Sequence, residues 1–140
     1  MIRVKICGVT TVEDARLAAE LGATAIGLVF WPGSPRVVEL KRAKAIVAAL
    51  PPFTTAVGVF VDQPQDAERI AREIGLTAVQ FHGDELPGTY RAFPVRVIKA
   101  VAVRDASSVE DAAAVPPSAT VLLDAHDCVK RGGTGRVVDW

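Results

Sequence analysis

ELGATAI (residues 20–26) and EIGLTAV (73–79) align glycine on glycine and Thr-Ala on Thr-Ala at an offset of 53 positions. Each copy reads as the last turn of a helix, a glycine able to take the left-handed conformation that ends it, and the opening of a strand. A helix running through a glycine into a strand, written twice, points to a βα unit reused around a barrel or an open sheet. Outward from this pair, six short β-branched or apolar runs read as strands: IRVKI (2–6), AIGLVF (25–30), AVGVFV (56–61), AVQFH (78–82), VRVIKAV (95–101) and TVLLD (120–124). Between them lie helical patterns. Residues 64–74 place Ala67, Ile70, Ala71 and Ile74 on one face behind Pro64, a residue suited to a first helical position. Leu40, Ala43, Ile46, Val47 and Leu50 form a second stripe. Thr11 with Asp14, and Ser107 with Glu110 in capping-box spacing, read as helix starts. Strands alternating with helices imply a parallel α/β sheet.

The 140 residues suit one domain with a sizeable core, and half of them are hydrophobic. Sixteen basic and sixteen acidic side chains cancel, so there is no overall electrostatic footprint for nucleic acid or an anionic membrane. No apolar run approaches the ~18 residues of a spanning helix, and MIRVKICG lacks a signal-like apolar stretch. Cys7 and Cys128 lie far apart with no CxxC partner, which argues against a zinc site or a disulfide framework and for a reducing, cytoplasmic setting. Proline-rich WPGSP, LPP and VPP fall between elements, and no linker marks a domain boundary.

In parallel α/β folds chemistry gathers where strands end. The first predicted strand ends at Cys7-Gly8, the second runs into FWPGSPR, the fourth into QFHGDE, the fifth carries Lys99 and the sixth ends at Asp124. GxGxxG, Walker, HExxH and GxSxG patterns are absent, which weighs against nucleotide and metal chemistry. Taken singly, these residues are ambiguous. Cys7 alone reads as buried filler, Asp124 as a cap, Arg36 as a solvated loop cation and GGTG as a turn.

Taken in order, VKICGVT, the following EDA helix, GLVFWPGSPR, VGVFV, VQFHGDE, VIKAV and LLDAHDCVKRGGTGRVVDW resemble the phosphoribosylanthranilate isomerase family of tryptophan biosynthesis. The resemblance implies a TIM-type (βα)8 barrel, here with about six of eight strands, and residues 1–140 as the N-terminal portion of that single domain. It implies an Amadori rearrangement of N-(5-phosphoribosyl)anthranilate by general acid–base catalysis, without cofactor or metal. By the same resemblance Cys7 is the base, Asp124 the acid, and Arg36 the grip on the anthranilate carboxylate. Gln80 and His82, on one side of their strand, are expected to line the pocket, and RGGTG (131–135), with Gly133, to close over substrate.

A free thiol titrates near ~8.5, so such a base gains from nearby positive charge. Lys5 shares Cys7's side of the strand by parity, and Lys99 is a second candidate. The same lysines would hold Asp124 ionised, against its role as an acid. A complete barrel needs about 200 residues or more. The seventh and eighth strands, whose loops hold phosphate in such barrels, have no counterpart in the sequence. The chain alone is therefore expected to turn over weakly, with open edges at the first and sixth strands that invite self-association. Two rival readings remain at this level: a non-catalytic half-barrel that associates through those edges, and another phosphate-sugar barrel enzyme using Lys99 as a Schiff-base former.

Overall fold

A computed structural model describes residues 2–91 and 93–125 of the chain. Strands β1 (Lys5–Cys7), β2 (Ala25–Val29), β3 (Thr55–Phe60), β4 (Ala78–Phe81), β5 (Arg96–Val103) and β6 (Ala119–Ala125) alternate with helices α1 (Val12–Glu20), α2 (Leu40–Ala49), α3 (Pro64–Ile74) and α4 (Ser108–Ala113). A 3-10 turn, Pro87–Tyr90, replaces a helix between β4 and β5. Every pairing is parallel and the strands lie in chain order, β1-β2-β3-β4-β5-β6. This is the incomplete TIM-type (βα) arrangement that the sequence predicts.

The sheet is curled. Strands pack about 4.8 Å apart, so a flat sheet would hold β1 and β4 about 14 Å from each other. Yet Lys5 Nζ donates directly to Gln80 Oε1, bridging β1 and β4, and His82, just past β4, meets Asp124 of β6. These residues lie on the concave face.

The repeated motif performs the same task twice. Gly22 and Gly75 take φ of 96° and 75°, in the left-handed region, and no atom lies close enough to hinder a side chain at either. The requirement for glycine there is purely conformational. Behind them, Ala23 N donates to Ala18 O at 2.9 Å and Leu76 N to Ala71 O at 3.0 Å. The two threonines then clasp the preceding strand: Thr24 Oγ1 bonds both N and O of Val4, and Thr77 Oγ1 both N and O of Ala56.

Between sheet and helices lies the core, in which Ile26, Leu28, Ile46, Phe60, Val79 and Phe81 are fully buried. Phe30 stacks on Phe60 at 5.1 Å, and Phe81 meets Tyr90 and Phe93 at 5.8 and 5.4 Å. The predicted stripe of α3 is buried, while Arg69 and Arg72 pair with Asp66, Glu73 and Glu68 on its solvated side. Such exposed pairs contribute little, because solvent screens them.

Thr11 caps α1 as expected, accepting from Asp14 N at 3.1 Å. The capping box expected at Ser107 does not form. Ser107 already has helical backbone angles, and its N–H donates to Asp105 Oδ1 at 2.8 Å. The buried hydroxyl of Ser108 instead accepts from Arg104 N at 3.0 Å. Asp105 accepts from both the N–H and the hydroxyl of Ser107, and the N–H of Glu110 donates to the Ser107 carbonyl at 3.0 Å, so neither half of the box has a donor left. No helix among the described residues is long and apolar enough to cross a membrane.

Candidate active site

Cys7 is the last residue of β1, with a free, partly buried thiol. It is level with Gly27 of β2, and a Cβ at Gly27 would stand 3.0 Å from Cys7 Sγ and 3.2 Å from its Cα. The sulfur therefore occupies space that any larger residue on β2 would take. The next residue, Gly8, has φ of 82°, and a Cβ there would lie 2.7 Å from the Arg36 side chain. Arg36 thus lies across the Cys7–Gly8 turn, and its Nη1 donates to Cys7 O at 2.8 Å. Its loop is tethered to β2, since Val38 N donates to Val29 O at 2.9 Å.

Strand register fixes which side chains share the concave face. Cys7 aligns with Gly27 and Gly27 with Val57; Gln80 aligns with Val59 and Ile98; Asp124 aligns with Ala102. Lys5, two residues before Cys7, is on the same face. From there a chain of contacts crosses the half-barrel. Lys5 Nζ donates to Gln80 Oε1, Gln80 Nε2 lies 3.2 Å from His82 Nδ1, and His82 Nε2 lies 3.1 Å from Asp124 Oδ2. Burial pushes Lys5 below the ordinary lysine value, and the charges of Cys7 and Asp124 oppose that shift. The hydrogen bond from His82 holds the Asp124 carboxyl below its usual range, against the upward push of burial. Lys5 adds a smaller contribution in the same direction as His82. The expected ionisation of Asp124 thus arises first from His82.

Lys99 does not join this group. Its register partner is Phe81, whose ring lies in the core between sheet and helices, so Lys99 points to that side. There Nζ pairs with Glu85 Oε2 at 2.9 Å and also donates to Gly83 O. The side chains are 13% and 1% exposed, so this is a buried ion pair. Glu85 also accepts from Asp62 N at 2.9 Å and from Gly83 N at 3.1 Å, while Tyr90 Oη donates to Glu85 O at 2.9 Å. Lys99 is neither a charge beside Cys7 nor a free amine for Schiff-base chemistry. Parity within its own strand leaves its direction open, and the register with Phe81 decides it.

The concave face therefore brings together Lys5, Gln80, His82 and Asp124, with Cys7 and Arg36 at the adjoining strand tip. Gly133 and the rest of RGGTG lie outside the described residues. Glu85, which anchors the loop after β4, went unread in the sequence. Its one signal was Lys99, an isolated cation inside an otherwise apolar strand that needs a buried partner. No cluster with metal-ligand character occurs among the described residues.

Comparison with known proteins shows the family. The model of the N-(5'phosphoribosyl)anthranilate (PRA) isomerase family matches residues 4–140. An N-(5'-phosphoribosyl)anthranilate isomerase of Neisseria meningitidis serogroup B is 49% identical over 141 residues, covering 99% of this chain and 68% of that protein. The crystal structure of phosphoribosyl anthranilate isomerase from Thermotoga maritima superposes with a TM-score of 0.92 at 40% identity, over all of this chain and 69% of that one. A phosphoribosyl anthranilate isomerase in complex with reduced 1-(o-carboxyphenylamino)-1-deoxyribulose 5-phosphate gives 0.85 at 42% identity, over 91% and 66%. Parallel topology, an ordered set of strand-end residues and these matches agree: the chain belongs to the N-(5'-phosphoribosyl)anthranilate isomerase family.

Proposed function

We propose that the chain is the N-terminal part, about six strands of eight, of a cytoplasmic enzyme that isomerises N-(5-phosphoribosyl)anthranilate by an Amadori rearrangement. The observation that supports this reading is that Cys7 and Asp124 lie on one curled face, both near Lys5, with Arg36 bonded to the carbonyl of Cys7, in a chain of this family. Asp124 protonates the ribose ring oxygen as the bond from that oxygen to C1 breaks, leaving a Schiff base. Cys7 removes the proton from C2, giving an enolamine, which tautomerises to the ketone. Arg36 suits the anthranilate carboxylate, because a planar guanidinium meets a carboxylate with two parallel hydrogen bonds. Gln80 and His82 line the pocket. The acid must hold a proton at the moment of ring opening. His82 favours the carboxylate form of Asp124, and the substrate's own carboxylate and phosphate push the other way.

The test is isomerase turnover of the chain, alone and mixed with a peptide carrying the last two βα units of a relative. Cys7→Ala and Asp124→Asn are each expected to lower kcat by about 10²–10⁴-fold. Turnover unaffected by both substitutions overturns the role assignments.

A second reading rests on the sheet edges. Among the described residues β1 pairs only with β2 and β6 only with β5, and Ile6, Val121 and Leu123 are exposed on them. Self-association through these edges would appear as a concentration-dependent dimer in sedimentation. Absence of turnover in both settings, together with such a dimer, would favour a non-catalytic association module.

A further inference from the structure

The contacts from Lys5 to Asp124 have a direction. An ammonium only donates, so the Gln80 atom facing Lys5 is its carbonyl oxygen Oε1. The Gln80 amide N–H groups are thereby turned toward His82 Nδ1, 3.2 Å away. They too only donate, so Nδ1 must accept. The ring proton then sits on Nε2, facing Asp124 Oδ2 at 3.1 Å. A second ring proton, on Nδ1, would point into the N–H of Gln80 for as long as Lys5 holds the amide this way round.

We propose that Lys5 and Gln80 are positioning residues that lock His82 as the Nε2–H tautomer, so that the proton exchanged with substrate resides on Asp124 rather than on the imidazole. An unrestrained imidazole, near ~6.5, outcompetes a carboxylate, near ~3.9, for a proton. A histidine placed beside a catalytic acid therefore tends to take the acid's proton unless something bars it. Here the bar is a donor aimed at the one nitrogen that would have to be protonated. Among the described residues, the ionisable and charged groups on this concave face are Lys5 and Cys7 from β1 and Asp124 from β6, with Arg36 at the strand tip. Lys99 and Glu85 are engaged with each other on the helix side. The catalytic meaning of the lock rests on Asp124 acting as the acid, whereas the lock itself does not.

The experiment is a long-range proton–nitrogen correlation spectrum of the full chain labelled with nitrogen-15, followed across the neutral pH range. The sequence has two histidines, and His126→Asn assigns the signals of His82. The wild type is expected to show an unprotonated Nδ1 and a protonated Nε2. In Gln80→Glu the carboxylate accepts from Lys5 and from the ring alike, so a proton should move onto Nδ1. In Lys5→Met the amide is free to turn over, and the two tautomers should mix. A wild-type ring protonated on Nδ1, or a pattern unmoved in a folded Gln80→Glu chain, overturns the proposal. The wild-type spectrum decides even if the variants fail to fold. In turnover, Gln80→Glu should lower kcat by about tenfold or more and shift the acidic limb of the pH profile. Absence of turnover in all forms would count against the isomerase reading while the spectra still judged the lock.

Discussion

The guanidinium of Arg36 donates from Nη1 to the carbonyl oxygen of Cys7 at 2.8 Å. This bond ties the loop after β2 to the strand tip that carries the thiol, so the proposed grip and the proposed base keep a fixed spacing. A guanidinium has five N–H donors, and among the described residues one of them is engaged, which leaves it able to meet a carboxylate in fork geometry. Lysine at this position would keep the charge and lose both the tether and the fork. Arg36→Lys is expected to raise KM by about tenfold to a hundredfold, the equivalent of one charge-assisted hydrogen bond, with a smaller change in kcat. Steady-state kinetics against substrate concentration checks the split.

Gly8 makes that contact possible. Its φ of 82° is unfavourable for a residue with a Cβ, and that Cβ would stand 2.7 Å from Arg36 Cδ. Gly8→Ala should cost about 1–2 kcal/mol in backbone strain and displace Arg36 as well. Urea denaturation should show the loss of stability, and the variant should share the raised KM of Arg36→Lys. A normal KM would show that Arg36 does not depend on this turn.

Gly27 tests the placement of the sulfur. A methyl group on Gly27 would meet Cys7 Sγ at 3.0 Å, and the rigid neighbouring strand leaves the thiol to yield. Gly27→Ala is expected to lower turnover by about 10²-fold, as a displacement of about 1 Å can do, while the circular dichroism spectrum stays that of the wild type. The rate of Cys7 alkylation in a Cys128→Ser background should change in parallel.

The βα alternation and the glycine-to-strand motif were legible because they depend on local chemistry: a positive φ, a capping hydroxyl and an apolar period. The threonine clasps of Thr24 and Thr77 explain why Thr-Ala recurs beside each glycine. Contacts between distant strands were not legible in the same way. Parity places Lys5 with Cys7 and Gln80 with His82, but which strands meet across a curl depends on sheet curvature, to which no short stretch of sequence is sensitive. Lys99 shows the limit. Sequence alone counted it as a charge for the thiol, whereas register with Phe81 turns it to the opposite side. Ser107 differs from its expected role for a related reason, since the carboxylate of Asp105, two residues earlier, takes its N–H.

Tyr90 offers a direct pH measurement because it is the only tyrosine in the sequence. Burial, with the Glu85 charge adding, pushes its hydroxyl up to about 12. The unfolded value is near ~10, so above that pH the native state holds a proton that the unfolded chain releases. Stability is therefore independent of this group below about pH 10 and falls as pH rises toward the folded value. Phenolate absorbance should show a midpoint near 12, or a jump coincident with alkaline unfolding. Tyr90→Phe should remove this contribution to the alkaline loss of stability. A midpoint near 10 in the folded chain would show that the hydroxyl is not buried against Glu85.

The Glu85–Lys99 pair sets the firmness of the loop that follows β4 and presents His82. Removing the carboxylate strands a buried ammonium and leaves the N–H groups of Asp62 and Gly83 without their acceptor. Glu85→Ala should therefore cost about 3–5 kcal/mol, a large share of the roughly 5–15 kcal/mol available to a domain. Lys99→Met should cost a similar amount by leaving Glu85 charged and buried, although its carboxylate keeps the backbone donors. The double variant should lose clearly less than the sum, because neither charge is then stranded. Urea midpoints of the four proteins give the coupling energy. Strict additivity would mean that the two groups do not interact in solution, and the loop would then owe its position to Tyr90 and the backbone bonds alone.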